Sequence, residues 1–197
     1  MNNWEDLKNA VGQWSVANFG SQKGLGCLAP LLGIAEEAGE WFSADRIEEE
    51  DDAIGDTCIF LVDYCYRAGV DLSGMPLEGI EADNLGLTAA VGRLCHVQLK
   101  RTQRIRGLED WDAFEKARFE AIGGLIWELD YLIGPRTDDG TAFQIACRVW
   151  QSVVSKRKWH EVPDKPITWQ SVMHDFSEVA GELNQITSVV FNGQKSL

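Results

Sequence analysis

Glu36, Glu37 and Glu40 lie within five residues of one another, and Asp52, Asp56 and Asp63 follow at helical intervals. Glu36 and Glu40 are four apart and Glu37 and Glu40 three apart, so on a helix the three share one broad sector. Asp52, Asp56 and Asp63 stack along one face of a second helix at i, i+4 and i+11. Glu48 to Asp52 read first as a solvated acidic turn where the chain reverses. Packed antiparallel, the two helices set several carboxylates opposite one another. Such a concentration of like charge is unfavourable unless a cation neutralises it. An all-oxygen set suits a hard ion, and Mg²⁺, with Mn²⁺ as a substitute, fits best where the ligand also carries phosphates.

The elements that must position these acids are helical. Apolar residues three and four apart predict helices over 31–43 and 47–68. Gly39 and Gly55 fall inside them, beside Glu40 and Asp56. A glycine within a helix costs about 1 kcal/mol relative to alanine, so each is expected to mark a close approach of two helices. A stripe of Trp4, Leu7, Val11, Trp14 and Phe19 predicts a helix over 2–19, followed by a glycine-rich loop. Gly69 closes the helix over 47–68, with Arg67 in its last turn, and residues 71–86 form a connector.

From Leu87 the pattern starts again. Residues 87–100 are amphipathic, and Ala121-Ile122-Gly123-Gly124 echoes Ala53-Ile54-Gly55-Asp56. Each echo precedes an Asp-Tyr pair, Asp63-Tyr64 and Asp130-Tyr131. The second copy holds Cys95, His96 and Leu99 where Glu36, Glu37 and Glu40 stand in the first, so it has lost the acids. Helices over 141–159 and 168–190 follow, separated by Pro163 and Pro166. With no alternating strand pattern, the expected fold is all-α. It is a helical bundle of two degenerate tandem repeats forming a pseudo-dimer. The lobes are 1–70 with the acids, a degenerate second lobe over 87–160, and a linker with a C-terminal helix over 161–197.

Glu36-Glu37-x-x-Glu40 followed by Gly55-Asp56 resembles the all-α nucleoside triphosphate pyrophosphohydrolases, the MazG-like group related to dimeric dUTPases. Their pattern is EExxE, a spacer, then ExxD. The chain departs from it at Ala53, where the family's third glutamate stands, and Asp52 is the candidate to compensate. The resemblance implies Mg²⁺-dependent hydrolysis of nucleoside or deoxynucleoside triphosphates to monophosphate and pyrophosphate. It implies Glu37, Glu40 and Asp56 as metal ligands, with Asp52 in support. Glu36 is implied as a further ligand or as the base that orients the attacking water. Ala53 keeps an alternative in view, a catalytically weak nucleotide-binding protein of the same fold.

A second segment, His96 to Gly107, concentrates cations in a chain of formal net charge −13. Lys100, Gln103 and Arg106 are candidate phosphate contacts opposite the metal, since cations there spread the charge that develops in phosphoryl transfer. Trp14, Phe19, Trp41, Phe42 and Trp127 are candidates to stack on a base, and Asn18 or Asp63 to read a base edge or a sugar hydroxyl. The negative charge argues against nucleic-acid polymers and anionic membranes as partners, while a small anion held through a cation stays admissible. Pairing of whole chains into a homodimer is left open.

Cys27, Cys58, Cys65, Cys95 and Cys147 are odd in number and form no CxxC pair, so they read as reduced thiols of a cytoplasmic protein. No leader or spanning segment is expected. P-loop, GxGxxG, nucleophile-elbow and HExxH signatures are missing. The Glu-x-x-His pairs of a redox-metal bundle are missing as well.

Overall fold

The computed structural model describes residues 1–19, 26–73, 86–134 and 140–156. The chain divides into two compact units, Met1–Trp159 and His160–Leu197, and every described residue belongs to the first. The helix expected over 168–190 lies outside the described residues, as does most of the connector over 71–86. The described residues form six helices and no strand: α1 (Trp4–Phe19), α2 (Leu28–Ser43), α3 (Ile47–Ala68), α4 (Leu87–Gln103), α5 (Trp111–Ile133) and α6 (Ala142–Lys156). Among them, no helix is long and apolar enough to cross a membrane.

The central element is α3, which packs against α2, α6, α1 and α5. Its first turn carries Glu48, Glu49 and Glu50 and its last turn Arg67, each sign of charge at the end the helix dipole favours. It stops at Gly69, whose φ of 69° is left-handed, while Val70 N–H donates back to Cys65 O at 2.9 Å. Ile54, Cys58, Leu61, Val62, Tyr64 and Cys65 are fully enclosed along its length. Burial on so many sides explains why one helix can carry acids and still be held firmly.

Three glycines set how close its neighbours come, one of them Gly33 of α2, where a Cβ would fall 2.6 Å from the ring of Phe60. A Cβ at Gly12 of α1 would fall 1.9 Å from the ring of Tyr66, and one at Gly55 would fall 2.4 Å from Val149 Cγ2 on α6. Gly55 therefore does mark a close approach beside Asp56, with α6 as the partner helix. The parallel expectation for Gly39 is corrected: it is exposed, and a Cβ there would meet nothing within 4 Å. A helical glycine signals missing side-chain volume, and on an outward face that volume has no neighbour to serve.

The five cysteines are free thiols, and burial pushes the Cys65 thiol up to about 12. Helices α2 and α3 form a hairpin of 16 and 22 residues, and α4 and α5 a second hairpin of 17 and 23. The echoed residues do different work in each. Asp63 is buried in an ion pair, whereas Asp130 accepts the Ala142 N–H at the start of α6, at 2.7 Å. Tyr64 is enclosed and donates to Gln98 Oε1 at 2.9 Å, whereas Tyr131 is exposed and stacks on Trp127.

Candidate functional site

Glu37 of α2 and Asp56 of α3 open onto one cavity of about 330 Å³. Glu37 is buried and Asp56 half-buried. The sequence explains this placement: Ile34 and Ala38 flank Glu37 on the face of α2 that enters the core, and Ile54 and Thr57 do the same for Asp56. Glu40 and Asp52 line a neighbouring hollow of about 250 Å³ with Ser43, Ala44 and Glu49. Glu36 is exposed and lies in neither lining.

Burial, and then the charges of Asp56, Glu40, Glu36 and Asp52, push the Glu37 carboxyl up to about 8. Glu37 is thus the acid on which the charges of the other four converge. Among the described residues, no three His, Cys, Asp or Glu side chains converge closely enough to hold a metal ion as they stand. The donor set still fits a hard divalent cation: it is all oxygen, drawn from two packed helices, and centred on a carboxyl whose charge its surroundings penalise.

The stretch Glu48 to Asp52, expected as an acidic turn, is instead the helical start of α3, and two of its acids are committed elsewhere. Glu49 pairs with Arg46 and accepts the Asp45 N–H, and Asp51 pairs with Arg148 of α6 at 2.7 Å. These pairs fix the start of α3 and the seat of α6.

Farther along the cavity lie Trp14, Phe19, Trp150, Ser15, Asp63 and Arg67. Arg67 Nε donates to both Asp63 oxygens at 2.9 and 3.0 Å, and Ser15 Oγ donates to Asp63 Oδ2 at 2.9 Å. Arg67 Nη2 donates to Ser15 Oγ at 2.6 Å, closing the network. Burial raises the Asp63 carboxyl, against the lowering effect of Arg67 and Ser15. Trp14 stands edge-on to Trp150 with ring centroids 5.3 Å apart, and edge-on to Phe19 at 5.8 Å.

Of the residues expected at the site, Glu37, Asp56, Asp63, Trp14 and Phe19 share this cavity. Asn18 is bonded to the Trp14 carbonyl, 2.8 Å away. Lys100, Gln103 and Arg106 lie outside the lining. Lys100 Nζ donates to Gln103 Oε1 at 2.8 Å, and Arg106 is exposed with a left-handed φ of 64°. Trp41, Phe42 and Trp127 are likewise outside it. Trp41 and Phe42 pack edge-on to each other, and the buried Trp41 Nε1 has no hydrogen-bond partner.

Sequence reasoning did not assign Ser15, Arg67 or Trp150 to the site. Arg67 was legible as an i, i+4 partner of Asp63, and Trp150 as one of an apolar stripe. Ser15 offered no signal. No protein-family model, curated protein or solved structure matches the chain.

Proposed function

We propose that the chain is a Mg²⁺-dependent hydrolase of nucleoside or deoxynucleoside triphosphates, releasing the monophosphate and pyrophosphate. The observation that carries this reading is the shared cavity: two acids from two helices, Glu37 and Asp56, at one part of a space that also takes in Trp14 and Asp63. Glu37 and Asp56 would hold the ion, with Glu40 and Asp52 reaching it from the adjoining hollow. When bound, the ion supplies charge neutralisation at the phosphates and lowers the pKa of water. Glu36, exposed, would serve as a further ligand or as the base that orients the attacking water and accepts its proton. The water oxygen bonds to the α-phosphorus, the bond from that phosphorus to the α–β bridging oxygen breaks, and pyrophosphate leaves. The aromatic side chains orient the base and keep bulk water from that part of the site.

The matched lengths of the two hairpins support a further part of the proposal, that α4 and α5 are a degenerate copy of α2 and α3 which closes the bundle as a pseudo-dimer. A second reading, a nucleotide-binding protein of weak catalytic power, is favoured by one residue. Ala53, only 3% exposed, occupies the position at which the resembled family carries a glutamate.

Incubation with a panel of nucleoside triphosphates and Mg²⁺ or Mn²⁺, followed by product analysis, tests both. Monophosphate and pyrophosphate in equal amounts support the hydrolase. Saturable binding without products supports the second reading, and neither binding nor turnover refutes both.

A further inference from the structure

The network of Ser15, Asp63 and Arg67 has more chemistry than a helix tie needs. The side chains of Arg67 and Asp63 are only 9% and 11% exposed. They line a cavity whose other walls include Val11, Pro30, Ile59 and Phe60. A buried ion pair is a weak stabiliser, because the loss of water offsets most of its attraction. A few placed polar groups in an apolar wall are, by contrast, what fixes the orientation of a small ligand.

We infer that this network is the base-reading end of the cavity and takes a nucleobase by an edge that presents a hydrogen-bond donor beside an acceptor. The inference rests on the nucleotide reading above and gives it a recognition element. An ionised carboxylate only accepts and a guanidinium only donates, so side by side they complement an amide-like or amidine-like heterocycle edge. A phosphate group offers acceptors alone and would meet the Asp63 charge, so this end is not the phosphate end. Asp63 follows Asp56 by seven residues on α3, two helical turns or about 10 Å. That separation lets one nucleotide place its phosphates by Glu37 and Asp56 and its base by Asp63. Trp14 and Trp150, which line the same cavity, supply surface on which a planar ring can stack.

The test uses nucleosides, which lack phosphate and need no metal. The full chain, in EDTA, is titrated with adenosine, guanosine, cytidine and uridine, read by tryptophan fluorescence and calorimetry. Inorganic tripolyphosphate serves as competitor. The expected result is saturable binding in which the best and worst nucleosides differ by about tenfold or more, with no displacement by tripolyphosphate. Asp63→Asn, which turns one acceptor into a donor, reorders the four nucleosides. Equal affinity for all four, or no binding, overturns the inference, and so does an unchanged order in a folded Asp63→Asn protein. If that variant does not fold, the wild-type preference decides alone. A base preference without hydrolysis in Mg²⁺ removes the hydrolase reading and leaves this one standing. Hydrolysis without base preference does the reverse.

Discussion

Replacing Glu37 by Gln should make the metal-free protein more stable, and by an amount that grows with pH. The Glu37 carboxyl is pushed from an ordinary 4.5 up to about 8 by burial and its acidic neighbours. A folded-state pKa above the unfolded one means that the folded chain holds the proton more tightly. The associated stability is complete below about pH 4.5, drains away as pH rises, and is gone above about pH 8. By pH 7 the unscreened loss is about 3 kcal/mol, at 1.36 kcal/mol per tenfold change. Water around the exposed Glu36, Glu40 and Asp52 screens part of that, leaving about 1–2 kcal/mol. Glutamine keeps the shape and discards the charge, so Glu37→Gln should recover this loss. For a chain of this size that is a rise in Tm of about 2–8 °C in EDTA at pH 7. The gap should narrow steadily toward pH 5. Mg²⁺ should raise the Tm of the wild type and leave the variant nearly unmoved, because a cation stabilises only the form that binds it. Thermal melts of both proteins from pH 5 to pH 8, with EDTA and with Mg²⁺, decide the matter. A variant less stable than the wild type at pH 7 in EDTA, or a gap independent of pH, would refute the reasoning.

Asp56→Asn should lower kcat about a hundredfold or more with the fold retained, since it removes charge that acts on the transition state; steady-state kinetics with unchanged metal dependence would exclude Asp56 from the site. Ala53→Glu places a carboxylate at a buried position, so it should lower Tm in EDTA and regain that loss as Mg²⁺ is added. A Tm equally low at saturating Mg²⁺ means that position 53 does not face the ion. Gly39→Ala, with nothing within 4 Å of the new Cβ, should stabilise α2 by up to about 1 kcal/mol. Gly55→Ala should cost about 1–3 kcal/mol by driving its Cβ into Val149, and denaturant melts of the two variants should move in opposite directions.

The helices were legible because their signals are local. Apolar spacing placed α2 and α3 to within three residues of their ends, and Gly69 with Arg67 marked where α3 stops. The acid group was legible for the same reason: Glu37 and Asp56 sit among apolar neighbours, so the helix face that buries those neighbours carries the acids inward. Partners from distant parts of the chain were not legible. Gly55 announced a close approach, yet nothing near it in sequence names Val149, which lies 94 positions later. Ser15 became a site residue only because α1 crosses α3 where Asp63 and Arg67 project. Gly39 shows the converse failure, a local signal with no tertiary partner behind it. The expected phosphate contacts have the same weakness. Lys100 and Arg106 were singled out by charge and Gln103 by the helix face it shares with Lys100, yet all three lie outside the cavity lining, and Lys100 donates to Gln103. Charge becomes informative where burial makes it costly. That distinction separates Glu37 and the Asp63–Arg67 pair, enclosed beside one cavity, from the many acids and bases that only solvate the surface.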